Sequence, residues 1–126
     1  MNHFISLEQA VQMTTTFREN RDRVLQDQYQ GTDLLANAET FDRAAFDKLL
    51  SQPGCEKLRI YYGMDAELKV HAIIVGVDAD NRDMLQSRTS GLSGGANGEV
   101  ENELEGIIVE LGQRCPPDCG ESLLNP

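Results

Sequence analysis

The residues best suited to chemistry in this chain are its three cysteines, Cys55, Cys115 and Cys119. Cys115 and Cys119 bracket Pro116-Pro117-Asp118. A residue that precedes proline is pushed toward extended backbone, so Cys115 and Pro116 are expected to be stretched before Asp118-Cys119-Gly120 turns back. A disulfide needs Cα atoms roughly 4.4–6.8 Å apart, which such a turn allows without guaranteeing it. A thiol redox pair is therefore open, as is a bridge from Cys55 to either tail cysteine. The spacing differs from the Cys-x-x-Cys of thioredoxin-like enzymes, and no helix start follows to stabilise a thiolate. A metal site built on the same three sulfurs would need a fourth ligand, and His71, between Val70 and Ala72 on an apolar run, is the candidate. The plainer expectation for His71 is a partly buried strand residue.

Other chemistry finds less support. Asp78, Asp80 and Asp83 suggest a calcium loop until Arg82 is read at the fifth position and Asp83 at the sixth, where an EF-hand requires glycine. A polar turn in which aspartate accepts local backbone amides is expected instead. Glu99, Glu101, Glu103 and Glu105 alternate with Val100, Asn102 and Leu104 and read as a solvated segment. The chain contains no Gly-x-Ser-x-Gly, no His-Glu-x-x-His and no phosphate loop. Gly94-Gly95-Ala96-Asn97-Gly98 follows no strand, which excludes a dinucleotide cradle. Two histidines leave little capacity for general base work near neutral pH. No catalytic residue and no cofactor are implied.

The elements that would position these residues follow from periodicity. Ser6-Leu7-Glu8-Gln9 fits a capping box, so a helix starts at Leu7, with Leu7, Ala10, Val11, Thr14 and Phe17 as its apolar stripe. Residues 26–37 are polar and receive no firm structure. Asp42 caps a second helix over about 43–51, Phe41 and Phe46 are placed to close a hydrophobic staple, and Ala45, Phe46, Leu49 and Leu50 form the buried face. Gln52-Pro53-Gly54 stops that helix. From Glu56 to Met64 the pattern alternates, with Leu58, Ile60, Tyr62 and Met64 on a dry face and Lys57, Arg59 and Tyr61 opposite. Leu68 to Val77 is apolar at both parities and reads as a central strand, antiparallel to the one before it. Gln86 to Gly98 is Gly/Ser-rich and is expected to be a flexible insertion. Gly106 to Leu111 reads as a further strand, with the core ending near Gly112 and an irregular tail beyond.

These elements predict an α+β domain, a small mainly antiparallel sheet with two helices packed against it, and one core for the whole chain. Eleven Lys and Arg against twenty-one Asp and Glu give a formal charge of −10, which repels phosphate backbones and argues against nucleic acid as partner. No apolar run approaches the roughly 18 residues of a membrane span, and the N-terminal residues lack the basic and apolar regions of a secretory signal. A cytoplasmic protein is expected. An odd number of cysteines in that compartment predicts reduced thiols rather than a disulfide framework.

Several of these segments, Ile5 to Arg18, Phe41-Asp42 leading into Gln52-Pro53-Gly54-Cys55, Leu58-Arg59-Ile60-Tyr61-Tyr62-Gly63, Val75-Gly76-Val77-Asp78 and Arg114-Cys115-Pro116-Pro117-Asp118-Cys119-Gly120, together resemble an uncharacterised family of small bacterial proteins. The resemblance covers most of the chain outside the Gly/Ser segment. It implies a compact α+β domain, draws attention to the three cysteines and implies no activity. The function expected is a non-enzymatic binding module with a protein partner; the alternative is a thiol-dependent redox or metal-binding protein using Cys115 and Cys119.

Overall fold

The computed structural model describes residues 2–85 and 107–126. In chain order the elements are α1 (Leu7–Asn20), a 3-10 turn (Asp27–Tyr29), β1 (Ala38–Thr40), α2 (Arg43–Ser51), β2 (Lys57–Met64), β3 (Val70–Val77), β4 (Ile108–Val109) and β5 (Gln113–Cys115). Two helices and antiparallel strands make the α+β class that the pattern predicts. The strands form two sheets, however, with orders β1-β5 and β2-β3-β4. The chain divides into two compact units, one of Met1–Thr40, Met64–Val70 and Gly112–Pro126, the other of Phe41–Gly63 and His71–Leu111. The Gly/Ser segment 86–98 and the four alternating glutamates lie outside the described residues.

The second unit is built on α2. Phe41 and Phe46 close the staple with ring centroids 5.7 Å apart, and Asp42 occupies the cap position although its side chain makes no cap hydrogen bond. Leu49, fully buried, joins Ile74 and Val109 at the centre of the core, with Phe41, Ala45, Phe46, Leu58, Ala72 and Ile107 around them. β3 is the central strand, as its apolar run predicts, and pairs with β4 through Ile74–Val109 and Val75–Ile108. Leu50 is not part of the buried face: it is 51 % exposed, because one residue advances a helix by about 100° and carries Leu50 off the stripe that Leu49 defines. Nor is the predicted dry face of β2 dry along its length. Leu58 reaches the core, whereas Ile60, Tyr62 and Met64 are 53 %, 79 % and 65 % exposed. Of the four, Leu58 alone lies against the cluster around Leu49.

In the first unit the capping box forms as its spacing predicts, with the Gln9 amide donating to Ser6 Oγ at 3.0 Å and the Ser6 amide to Gln9 Oε1 at 2.9 Å. The helix it opens has no fully buried residue. Ala10, Val11 and Thr14 are half-buried while Leu7 and Phe17 are exposed, so the stripe is narrower than its periodicity suggests. Residues 33–35, read as unstructured, are tied down by two arginines. Arg21 donates to the Leu35 carbonyl at 2.8 Å, and Arg114 to the carbonyls of Asp33 and Leu34 at 3.0 Å each. Leu34 is buried, and its carbonyl also accepts the Val70 amide. The core does not end near Gly112, and the tail is not irregular throughout. β5 pairs with β1 in the register Ala38–Cys115, Glu39–Arg114 and Thr40–Gln113, and Cys115 is 3 % exposed. The alternation in Gln113-Arg114-Cys115 is too short to signal a strand; its partner supplies the reason for it.

Candidate functional site

The three cysteines fall in different surroundings. Cys115 and Cys119 are joined in a disulfide with Cα atoms 4.7 Å apart, where reduced thiols were expected. The cause is local. Cys115 is extended, as expected of a residue before proline, at the end of β5, and the chain turns back directly after it, with the Asp118 amide donating to the Arg114 carbonyl at 2.9 Å and the Cys119 amide to the Pro117 carbonyl at 3.2 Å. The Cys115–Pro116 and Pro116–Pro117 peptide bonds are both cis. The two halves of the bridge differ in exposure: Cys115 is buried at the end of β5, and Cys119 is an exposed residue.

Cys115 Sγ accepts a hydrogen bond at 2.8 Å from Asn125 Nδ2. Asn125 is itself held, because its Oδ1 accepts from Asn37 Nδ2 at 3.2 Å and its amide donates to the Ser122 carbonyl at 3.2 Å. The neighbouring Leu124 carbonyl accepts from the Arg18 guanidinium of α1. Asn125 carried no signal in the sequence, since it lies ten residues beyond Cys115 in a segment with no periodicity.

Cys55 is a free, half-buried thiol of the second unit. Its Sγ donates to the Lys57 carbonyl at 3.4 Å and rests against Gly76 of β3, where an added Cβ would lie 2.9 Å from the sulfur and 2.9 Å from Gln52 Nε2. Glycine at 76 is thus what admits the thiol. His71 is half-buried on β3. Among the described residues no three His, Cys, Asp or Glu side chains gather so as to hold a metal ion, and the sulfurs of Cys115 and Cys119 are committed to each other.

The aspartates after β3 divide their work. Asp78 Oδ1 accepts the amides of Asp80 and Arg82 at 2.9 Å each, which is the polar turn expected there. Asp83 instead accepts from Arg59 Nη1 at 2.5 Å and, through its other oxygen, from the Tyr61 hydroxyl. Arg59 Nη2 also donates to Asn81 Oδ1 at 2.7 Å. The neighbouring Tyr61 side chain, and then Asp83, hold the guanidinium above its ordinary value. With both carboxylate oxygens engaged, Asp83 serves as a clamp between β2 and the turn rather than as a base. The placing of Arg59 and Tyr61 on one face of β2 was legible from their spacing, but their partner was not. No family model, no curated protein and no solved structure matches this chain.

Proposed function

We propose that the protein is a non-enzymatic interaction module that pairs with a second copy of itself along β2. The observation that carries this reading is the exposure of Ile60, Tyr62 and Met64 on one face of a strand that, among the described residues, has β3 as its one neighbour. An edge strand presents unpaired N–H and C=O groups and is a template for another strand. Antiparallel pairing about a two-fold axis at Tyr61 sets Leu58 opposite Met64 and Ile60 opposite Tyr62, so that the apolar face becomes continuous across both copies. Lys57 then meets the partner's Asp65 at each end. A slip of one residue would set Ile60 opposite Tyr61 and mix the two faces. Arg59 is already neutralised by Asp83, so β2, which contains no acidic residue, is not subject locally to the repulsion implied by a charge of −10 on the whole chain.

This reading takes the chain as an acidic, soluble bacterial protein of the cytoplasm, belonging with the small α+β proteins it resembles. The net charge supports the exclusion of nucleic acid. No helix among the described residues is long and apolar enough to cross a membrane. Sedimentation equilibrium tests the pairing. The wild type is expected at twice the chain mass by about 100 μM, and Ile60→Lys with Tyr62→Lys at the single-chain mass with an unchanged circular dichroism spectrum. A wild type that stays at the single-chain mass, or a double variant that still dimerises, would overturn it.

A further inference from the structure

We infer that the Cys115–Cys119 bridge is a redox-active disulfide whose co-reactant is a low-molecular-weight thiol of the glutathione class, with Cys119 the sulfur attacked, Cys115 the leaving and resolving thiol, and Asn125 its positioning residue. The inference is independent of pairing along β2.

Three observations carry it. The first is how little the bridge contributes as a staple. It closes a ring with three residues between its cysteines, which restricts the unfolded chain far less than a long loop would, and the strand that ends in Cys115 is already paired with β1. The second is the unequal exposure of the two cysteines. Thiol–disulfide exchange requires a thiolate to reach one of them, and exposed disulfides are the labile ones; here the exposed residue is Cys119, and Cys115 is buried. The third is the donor at the sulfur that must leave. Asn125 Nδ2 is 2.8 Å from Cys115 Sγ, held there through Asn37 and Ser122. A hydrogen bond to a thiolate favours the charged form and so improves the leaving group.

The reaction balances as follows. A glutathione thiolate attacks Cys119 Sγ, the bond between the two protein sulfurs breaks, and Cys115 departs with the electron pair as a thiolate that accepts the Asn125 N–H. A second glutathione thiolate then attacks the glutathione sulfur of the mixed disulfide and releases Cys119. Two electrons have passed from two thiols to the protein, glutathione leaves as its disulfide, and the two protons lost by the glutathione thiols are taken up by Cys115 and Cys119. In the reverse direction Cys115 resolves a glutathionylated Cys119 and restores the bridge.

The test combines a titration with three variants. Full-length wild type is equilibrated in buffers of varied ratio of glutathione to its disulfide, quenched by alkylation and weighed by mass spectrometry. The expected result is a reversible passage between no labelled tail thiol and two as the ratio rises. A tail that remains oxidised in the largest excess of glutathione, or that once reduced does not re-form its bridge with glutathione disulfide, would overturn the inference. In Cys115→Ser a stable glutathione adduct is expected on Cys119, at least about tenfold faster than on Cys115 in Cys119→Ser, because access to the sulfur limits exchange; equal rates would overturn the assignment of the attacked sulfur. Asn125→Ala, combined with Cys119→Ser, should move the alkylation profile of Cys115 to higher pH, whereas loss of packing alone, by admitting water to a buried thiol, would move it to lower pH. A profile at the original pH would remove Asn125 from its role. Should either single cysteine variant fail to fold, the wild-type titration still decides the main claim.

Discussion

Phe46 illustrates how much one side chain can carry in a small core. It contacts Phe41 and lies against the cluster of Leu49, Ile74 and Val109 while remaining half-buried itself. Phe46→Ala is therefore expected to lower stability by about 2 kcal/mol, less than the 3–5 typical of a fully buried phenylalanine, read as a lowered midpoint in urea unfolding with an unchanged slope. An unchanged midpoint would mean that the staple contributes nothing. Legibility at this scale followed the range of the interaction. The staple was readable because its two members are five residues apart on one helix entry. The thiols were readable as candidates, but the ring closure between Cys115 and Cys119 was not, because proline chemistry restricts individual backbone angles without fixing where the following turn leads. Asp83 was weighed as a calcium ligand and found employment with Arg59 and Tyr61, which lie more than twenty residues earlier and are brought to it by the β2–β3 pairing.

The elements differ in what holds them. α2 is anchored by Leu49, whereas α1 buries no residue completely and depends more on its own ends. A helix of 14 residues is near the lower limit at which helices persist alone in water. Ser6→Ala removes the side-chain acceptor for the Gln9 amide and half of the reciprocal pair, at a cost of about 1 kcal/mol. The expected result is a rise of about fivefold in amide exchange across the first turns of α1, with protection in α2 unchanged; a uniform rise across both helices would instead report global destabilisation. Both helices were legible because caps and periodicity act within a few residues. β1 and β5 were not, since each is three residues long and owes its existence to a partner far away in sequence. The exposed part of β2 was misread for a related reason: alternation indicates which side chains share a face, while whether another element covers that face is set elsewhere in the chain.

At the scale of the whole molecule, the first unit is assembled from three separated stretches and the second from two. The C-terminal stretch supplies β5, the disulfide, Arg114 and Asn125 to residues near the other end of the chain. Deleting Gly112–Pro126 is expected to abolish amide protection over residues 33–40, where Asn37 donates to Cys115 and Arg114 braces the backbone, and to affect α2 less. Retained protection at 33–40 would mean that β1 stands without β5. This dependence also has a consequence for the order of events during synthesis. β1 leaves the ribosome well before its partner, and at roughly 5–20 residues per second the interval of about 75 residues lasts about 4–15 s. Throughout that time the residues of β1 lack the partner they have in the fold, whereas α2, β2 and β3 follow one another directly and can associate as they emerge. A nascent chain thus carries the residues of β1 without that partner until Gln113–Cys115 have been made, and a stop codon that removes β5 leaves its mark on a segment synthesised long before it.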